Sequence, residues 1–262
     1  MPTSIAITRK PSPALGRCVL EYLERQEIDI AKAVRQHEEY EAILSEFRLQ
    51  VISLPAEPDL PDSMFVEDTA VVVDEIAVMT RMGAESRRDE VGSVAEALSA
   101  FRPLRWLREP ATLEGGDVMR AGSTLFVGLS TRTNSAGVSQ LESELGPYGY
   151  SVRPLEVRGC LHLKSACCYL GDGTILANPG WIDAVALREF EILPVAPDEP
   201  WAANVLRVGG TILIASSSPG TARVLEKAGY RVRTLDISEL MKAEAGLTCS
   251  SLIFEADAAP RT

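Results

Sequence analysis

Short apolar runs recur along the chain in pairs that are separated by tight turns. Four of these pairs are Val71–Met79, Asp117–Gly128, Cys168–Ala177 and Asn204–Ile214. The last three enclose an Ala-Gly, Asp-Gly or Gly-Gly step, which is typical of hairpin turns because glycine accepts a positive φ. The pattern predicts β-hairpins at intervals of roughly 40–50 residues, the period of a repeat architecture.

A helix and a further strand are predicted after the hairpins. Apolar residues at three- and four-residue spacing indicate helices in Val91–Leu98, Ala136–Leu145 and Ala222–Ala228. The short apolar segments that follow are Leu104–Leu107, Ser151–Leu155, Ile192–Val195 and Arg231–Leu235. Each repeat is therefore predicted to be a ββαβ unit.

A fifth unit is divided between the two ends of the chain. Leu247–Phe254 supplies its first strand, Ser4–Thr8 its second, Ile30–Phe47 its helix and Gln50–Leu54 its third strand. A repeat divided in this way joins the first unit to the last and closes a ring. We therefore predict an α/β fold, a five-bladed pseudo-symmetric propeller in which residues 1–262 form one domain, with strands toward the axis and helices outside.

Polar residues stand at or just before the first strand of several units. They are Glu67 and Asp68, the segment Glu114–Asp117, His162 and Cys249. Taken singly, each has an ordinary structural interpretation, such as a turn, a loop or a buried small side chain. Equivalent positions in a closed ring converge on its axis, so residues far apart in sequence are expected to share one small site. A cysteine, a histidine and several carboxylates together indicate nucleophilic and acid–base chemistry.

Composition and charge narrow the classes of function. The net charge is −11 and no basic run is present, which argues against nucleic acid and anionic membrane surfaces. No apolar run approaches the roughly 20 residues of a spanning helix, and the N-terminus lacks the apolar core of a signal peptide. Five cysteines, an odd number, do not resemble a disulfide framework. We expect a cytoplasmic protein.

A metal site is conceivable from residue types alone. Cys160, His162, Cys167 and Cys168 include the usual zinc ligands. Their spacing lacks paired C-x2-C steps, and alternation along a strand would aim the two adjacent cysteines in opposite directions. Gly115-Gly116 fits neither a dinucleotide-binding nor a P-loop pattern. We predict no metal and no cofactor.

At these residues the sequence resembles the dimethylarginine dimethylaminohydrolase family of the guanidino-group-modifying (pentein) superfamily. The matching segments are Pro61–Ala70, Arg81–Arg88, Leu113–Asp117, Arg132–Asn134, Leu161–Lys164 and Gly246–Cys249. They occur in order over nearly the whole chain. The resemblance implies a five-bladed α/β propeller, in agreement with the ring predicted above. It also implies a hydrolase that converts dimethylarginine or monomethylarginine to L-citrulline and a methylamine.

The resemblance implies a role for each matching residue of the site. Cys249 is the nucleophile that carries a thiouronium intermediate, His162 is the acid and base, and Glu114 holds the imidazole. The substrate-binding residues are Glu67 and Asp68 for the guanidinium, Arg87 and Arg132 for the α-carboxylate, and Asp62 with the backbone carbonyls of Leu20 and Ala243 for the α-amino group. The implied ligand is a small guanidino amino acid.

Lys164 distinguishes this sequence from related enzymes. The arginine deiminases and amidinotransferases of the superfamily generally carry a His-x-Asp motif, whose aspartate is a second guanidinium clamp. Here Lys164 follows His162 at that place. Without that carboxylate, N-methyl groups can lie on one side of the guanidinium with no buried unpaired charge. This favours methylated arginines as substrates.

Two other functions stay open at this point. One is an arginine deiminase-like or amidinotransferase-like enzyme that acts on another guanidino substrate. The other is a non-catalytic binding protein on the same propeller, against which the joint presence of Cys249, His162 and Glu114 argues. Residues 11–20 are either a fixed surface loop or a mobile lid, and the sequence leaves a homodimer open.

Overall fold

Fifteen strands and six helices make up the regular structure of the described part of the chain. The computed structural model describes residues 3–256; residues 1–2 and 257–262 of the predicted domain lie outside it. The strands are β1 (Thr3–Arg9), β2 (Gln50–Leu54), β3 (Ala70–Val72), β4 (Ala77–Met79), β5 (Leu104–Trp106), β6 (Val118–Ala121), β7 (Thr124–Leu129), β8 (Ser151–Glu156), β9 (Cys167–Gly171), β10 (Thr174–Ala177), β11 (Glu191–Pro194), β12 (Leu206–Val208), β13 (Thr211–Ala215), β14 (Arg231–Leu235) and β15 (Leu252–Ala256). The helices are α1 (Ile30–Glu46), α2 (Val91–Ser99), α3 (Ser135–Leu145), α4 (Leu163–Ala166), α5 (Pro219–Lys227) and α6 (Ser238–Met241).

Each predicted repeat forms its own three-stranded sheet. The strand orders are β15–β1–β2, β3–β4–β5, β6–β7–β8, β9–β10–β11 and β12–β13–β14. In every sheet the first strand runs antiparallel to the middle strand, which runs parallel to the last. A parallel pair needs a crossover connection. Helices α1, α2, α3 and α5 supply that crossover in four of the units.

The two ends of the described chain meet in one sheet. Ile5 of β1 pairs with Phe254 of β15 on one side and with Gln50 of β2 on the other. The predicted closure of the ring by strands from both ends is confirmed, and so is the five-bladed α/β propeller.

The third unit, β9–β10–β11, departs from the predicted pattern. Its crossover between β10 and β11 contains a single 3₁₀ turn, Ala184–Leu187, in place of an α-helix. Asn178 follows β10, and its Oδ1 accepts a hydrogen bond from the Gly180 amide at 3.0 Å, so the chain makes a turn at this point. Asp183 starts the turn instead by accepting a hydrogen bond from the Val185 amide at 3.0 Å. The prediction of a helix in every unit is therefore wrong for this one.

The helices fill the space between neighbouring sheets. Val94 and Leu98 of α2 are fully buried in a cluster with Met79 of its own sheet and Ile7 of the closing sheet. Burial of each such side chain contributes about 1.5–3 kcal/mol. Because one helix packs on two sheets, the units are held in a fixed relation to one another, which positions the segments that precede the first strands.

Candidate active site

The segments that precede the first strands are joined by hydrogen bonds. Helix α4, with His162 at its N-cap, leads into β9, and three 3₁₀ turns lead into β3, β6 and β15; these turns are Val66–Thr69, Gly115–Asp117 and Thr248–Ser250. The Gly116 amide donates to Asp68 Oδ1 at 2.9 Å. The Leu163 amide donates to Asp117 Oδ1 at 2.9 Å. The structure thus brings together the segments that the repeat predicted to converge.

Asn204 completes this set of segments in the fourth unit. Its Nδ2 donates to Thr248 Oγ1 at 3.0 Å and to the Lys164 carbonyl at 3.1 Å, and its Oδ1 accepts from the Thr248 amide at 3.0 Å. Glu67 joins the same hydrogen-bond network, because its carboxylate accepts from Thr248 Oγ1 at 2.7 Å and from Lys164 Nζ at 2.5 Å. Asn204 was not among the residues predicted for the site, although it stands just before the first strand of its unit, like the other site residues.

Gly115 and Gly116 are required by close packing. A Cβ atom on Gly115 would lie 2.0 Å from the Glu67 carbonyl oxygen, and one on Gly116 would lie 2.7 Å from His162 Nδ1. Any side chain at either position would push apart the segments that carry the polar residues. The glycine pair therefore permits the convergence of neighbouring units.

His162 and Glu114 form a buried pair. His162 Nε2 donates to Glu114 Oε2 at 2.8 Å, while His162 Nδ1 lies 4.0 Å from Asp68 Oδ1. Burial alone lowers the pKa of His162, but the charge of Asp68 and the hydrogen bond to Glu114 outweigh it and raise the pKa to about 9. The imidazole is therefore protonated at neutral pH and can serve as a general acid.

Cys249 shares a small cavity with His162. Its thiol is 9% exposed and accepts a hydrogen bond from the Gly246 amide at 3.4 Å. Burial raises the pKa of the Cys249 thiol, and the charges of Glu67 and Asp68 raise it further. The Lys164 ammonium acts against this rise but does not cancel it, so this cysteine is a neutral thiol.

The cavity brings together most of the predicted site residues. Its volume of about 20 Å3 leaves room for about one water molecule. It is lined by Val19, Asp62, Phe65, Asp68, Arg87, Arg132, Leu161, His162, Ala243, Glu244, Ala245 and Cys249. Two predicted residues, Leu20 and Glu67, are not part of this lining, and Glu114 lies behind it through its bond to His162.

Glu67 has contacts other than those predicted. Both of its carboxylate oxygens accept hydrogen bonds, one from Lys164 and one from Thr248. Burial raises the pKa of Glu67, while the Lys164 ammonium acts against that rise. These three residues also line a separate cavity of about 480 Å3. The neighbouring Asp68 lines the cavity that contains Cys249.

Arg87 is surrounded by carboxylates. Its Nε donates to both oxygens of Glu90 at 3.2 Å, and its Nη2 donates to Glu90 Oε2 at 3.0 Å. Nη1 donates to Asp68 Oδ2 at 2.9 Å and lies 3.6 Å from Glu114 Oε2. Burial acts to lower the pKa of Arg87, but the charges of Glu90 and Asp68 raise it well above its ordinary value.

Arg132 reaches Glu114 from another direction. Its Nη1 lies 3.4 Å from both oxygens of Glu114, and its Nε donates to Glu21 Oε1 at 2.6 Å. Thr131 Oγ1 donates to the other oxygen of Glu21 at 2.7 Å. The guanidinium that is predicted to bind a substrate carboxylate thus holds a carboxylate of the protein.

The segment around Glu21 is fastened over the cavity by a second carboxylate. Glu244 Oε1 accepts from the amides of Glu21, Tyr22 and Leu23 at 3.0, 2.6 and 2.6 Å. No helix or strand includes residues 18–29. Cys18 and Ile28 are buried in the apolar core, but Glu21 and Tyr22 between them are exposed. The stretch around Glu21, which is held mainly by polar contacts, can therefore detach without unfolding the ring.

Asp68, Glu114 and His162 each offer a ligand atom, and these atoms lie within 4.8 Å of one another. The Arg87 guanidinium already places a positive charge against both carboxylates, so the geometry favours an ion-pair network over a cation site. The cysteines considered for zinc make other contacts, because Cys160 Sγ donates to the His162 carbonyl and Cys168 Sγ to that of Lys164.

None of the helices within residues 3–256 has both the length and the apolar character needed to cross a membrane.

A ring of five blades with a cysteine and a histidine–carboxylate pair at its axis defines the class of guanidino-group-modifying propeller proteins. The model of the family described as eukaryotic N,N dimethylarginine dimethylhydrolase matches residues 20–190. The Streptomyces coelicolor protein named N(G),N(G)-dimethylarginine dimethylaminohydrolase is 40% identical over 96% of this chain and 97% of its own. The chain belongs to the dimethylarginine dimethylaminohydrolase family, which confirms the resemblance seen in its sequence.

Solved structures agree with this assignment. A variant of the Pseudomonas aeruginosa enzyme of this family, solved in complex with citrulline, aligns with a TM-score of 0.91 at 32% identity and covers 97% of this chain and all of its own. The N-terminal domain of the arginine dihydrolase ArgZ aligns with a TM-score of 0.85 at 20% identity. That second likeness concerns the fold alone.

Proposed function

We propose that this chain hydrolyses Nω-methylated arginines to L-citrulline and a methylamine, with Cys249 as the nucleophile. The observation that carries the proposal is the shared cavity, in which the Cys249 thiol lies with Asp68 and with a histidine that is hydrogen-bonded to Glu114 at 2.8 Å. Family members named for dimethylarginine hydrolysis support the choice of substrate.

The carboxylates of the cavity suit a cationic substrate, and the charge of that substrate would activate the thiol. Asp68 matches the planar N–H donors of a guanidinium, as in arginine–carboxylate pairs. A guanidinium bound beside Cys249 would offset the nearby carboxylates and lower the pKa of the thiol. The thiolate would therefore form chiefly when substrate is present, with its proton released to solvent.

The first chemical step forms a covalent intermediate. The Cys249 thiolate attacks the guanidinium carbon and forms the C–S bond of a tetrahedral adduct. The bond from that carbon to the methylated nitrogen then breaks, and the departing amine takes its proton from His162. A pKa of about 9 for His162 keeps that proton available at neutral pH.

The second step returns the enzyme to its starting state. His162, now neutral, removes a proton from a water molecule that attacks the thiouronium carbon. The C–S bond then breaks, the hydroxyl oxygen of the adduct becomes the carbonyl oxygen of citrulline, and the hydroxyl proton passes to the departing Cys249 sulfur, which ends as a thiol. Glu114 keeps the imidazole oriented in both steps and stabilises its protonated form.

The amino-acid end of the substrate is assigned to the other side of the cavity. Arg87 and Arg132 would bind the α-carboxylate through their paired donors. Asp62, together with the backbone carbonyls of Leu20 and Ala243, would receive the α-amino group. In the structure Asp62 accepts the Val19 amide at 3.2 Å, so this carboxylate also anchors the segment that closes over the site.

Substrate binding requires this segment to move. A cavity of about 20 Å3 does not hold an arginine-sized molecule. The Glu21 carboxylate is also bound to the Arg132 guanidinium, where the substrate carboxylate would bind. For residues 11–20 the sequence left a fixed loop and a mobile lid open; this proposal takes the lid and extends it to Leu23. Arg25 ties its earlier part by donating to the carbonyls of Gly16 and Cys18 at 2.7 and 2.6 Å.

Lys164 supports methylated over unmodified arginine. The Lys164 ammonium pairs with Glu67 at 2.5 Å. The arginine deiminases and amidinotransferases carry an aspartate at this position, whereas here the position supplies no carboxylate to the guanidinium. Guanidinium binding then falls to Asp68, and a methylated nitrogen would leave no buried partner unpaired. Deimination of arginine is the second candidate, which this ion pair disfavours.

The test is a comparison of substrates. Purified protein would be incubated with asymmetric dimethylarginine, monomethylarginine and arginine, and both citrulline and the released amine or ammonia would be followed. We expect citrulline from the methylated substrates and little from arginine, with all turnover lost in Cys249→Ser. A strong preference for arginine would contradict the proposal. A cytoplasmic location, a homodimer and the absence of a nucleic-acid partner stay predictions.

A further inference from the structure

Glu90 is a buried carboxylate that the proposed mechanism does not use. It ends the 3₁₀ segment Glu85–Glu90, is 1% exposed, and binds Arg87 with both of its oxygens. A carboxylate buried to this degree loses its hydration. Burial raises the pKa of Glu90 to about 7, although the Arg87 charge opposes this rise. The contact that offsets part of the cost is directed at a residue of the candidate active site.

The pairing leaves part of the Arg87 guanidinium available. An arginine has five N–H donors. Glu90 takes the Nε donor and one from Nη2, and Asp68 takes one from Nη1. A donor therefore remains on each terminal nitrogen, and Arg87 lines the cavity. Donors on both terminal nitrogens allow contact with both oxygens of a carboxylate.

Glu90 also opposes the pull of the catalytic carboxylates. Arg87 Nη1 lies 2.9 Å from Asp68 and 3.6 Å from Glu114. Without a partner on its other edge, the guanidinium would turn toward these two charges, since attraction grows as the distance shortens. It would then cover Asp68 and compete with His162 for Glu114.

We propose that Glu90 is a positioning residue that holds Arg87 in the orientation that binds the α-carboxylate of the substrate. The proposal rests on the proposed function, because it assumes a guanidino amino acid in the cavity. Glu90 touches no reacting atom and acts only through Arg87. It makes the site selective for guanidines that carry an α-carboxylate.

The same 3₁₀ segment contains a matched control. Glu85 pairs with Arg88 at 3.0 Å with the same three-residue spacing, but its side chain is 83% exposed. Exposed pairs of this kind contribute little. Glu85→Gln therefore removes an equivalent charge from the same segment without touching the cavity.

The test measures binding in the Cys249→Ser background, where turnover does not interfere. Calorimetry would compare monomethylarginine with N-methylagmatine, which has the same guanidinium but no carboxylate. We expect Glu90→Gln to weaken binding of the amino acid at least about tenfold, as expected when a charge-assisted bidentate contact is broken. The analogue should change less than about twofold, which is within the scatter of a fraction of a kcal/mol. Glu85→Gln should change neither.

Turnover gives an independent readout. With Cys249 intact, Glu90→Gln should raise KM for methylarginine and leave kcat nearly unchanged, because the contact is made to a part of the substrate that does not react. If Glu90→Gln does not fold, Glu90→Asp keeps the charge with a shorter reach and should show the same split to a smaller degree. Urea unfolding of each variant establishes that the folded state is being compared.

Three results would overturn the proposal. They are equal weakening of both ligands, no weakening of either, and a fall in kcat with KM unchanged. A failure of the proposed function looks different, because the unaltered chain would then release no citrulline from any methylarginine. Selective binding of the carboxylate-bearing ligand that depends on Glu90 would still stand in that case.

Discussion

Arg87 and Arg132 are alike in burial and differ in what holds them. Each is 3% exposed and each contacts Glu114. Arg87 is also paired with Glu90 and Asp68, both buried within the fold. The further partner of Arg132 is Glu21, on a segment without regular structure. The comparison shows that one arginine is fixed by the folded chain and the other is covered by a contact that can be released.

Because of this difference, Arg87 and Arg132 would play different roles in binding the substrate carboxylate. At Arg87 the substrate would add a contact to donors that are already oriented. At Arg132 it would replace Glu21 and thereby separate the covering segment from the ring. A substrate carboxylate would thus bind to Arg87 without rearrangement and would displace Glu21 from Arg132. Binding of the substrate would therefore be coupled to opening of the covering segment.

The largest expected effect is the loss of stability when each arginine is removed, and the two losses should differ. Arg87→Ala leaves Glu90, Asp68 and Glu114 buried without their shared cation, and loss of one partner of a buried pair costs about 3–5 kcal/mol. Arg132→Ala frees Glu21 to solvent and should cost less, about 1–3 kcal/mol. Urea unfolding of the two variants measures both values. Equal losses would mean that the two arginines are held in the same way.

The charge network that both arginines join through Glu114 also sets the protonation of His162. The folded-state pKa of about 9 lies above the ordinary value of 6.5. Protonated His162 therefore stabilises the fold fully below about pH 6.5, and this contribution disappears as the pH rises through about 9.

A pH series can isolate that contribution. The measured quantity is the difference in free energy of unfolding between the unaltered chain and His162→Gln. We expect this difference to be about 3 kcal/mol larger at pH 6 than at pH 10, since one pKa unit corresponds to about 1.4 kcal/mol. Comparison with the variant cancels the titration of other groups. A difference that stays constant with pH would show that His162 is not held in its protonated form.

The sequence predicted those parts of the site whose signals are local. Apolar runs, glycine turns and the recurrence of units located the first strands, so Glu67, Asp68, His162 and Cys249 could be placed together before any contact was known. The third unit, β9–β10–β11, shows the limit of this reasoning. Its repeat suggested a helix, but the Asn178 side chain forms a turn just after β10, and the crossover contains only a 3₁₀ turn.

Residues whose importance depends on a distant partner were not predictable. Glu21 meets Arg132 across 111 positions, and Asn204 meets Thr248 across 44. Glu90 is only three residues from Arg87, yet Glu85 and Arg88 have the same spacing and are exposed. Burial, which spacing alone does not reveal, separates the functional pair from the ordinary one.

The smallest expected effect concerns the releasable contact. Glu21→Gln should lower KM for methylarginine by about threefold, because a partly exposed ion pair contributes up to about 1 kcal/mol and the substrate would no longer compete with it. The exposed Glu24 on the same segment provides the control variant Glu24→Gln, for which we expect no change. If Glu21→Gln instead raised KM, Glu21 would be a support for Arg132 and not a competitor of the substrate.

Attack by Cys249 on the guanidino carbon is the central claim, and the most direct test is to trap its product. S-methyl-L-thiocitrulline loses methanethiolate without needing a proton, whereas hydrolysis of the adduct needs a base. In His162→Ala the adduct should therefore accumulate, and mass spectrometry of the digested protein should find it on the Cys249 peptide without the methylthio group. An unmodified Cys249 peptide, or an adduct that retains the methylthio group, would contradict the account.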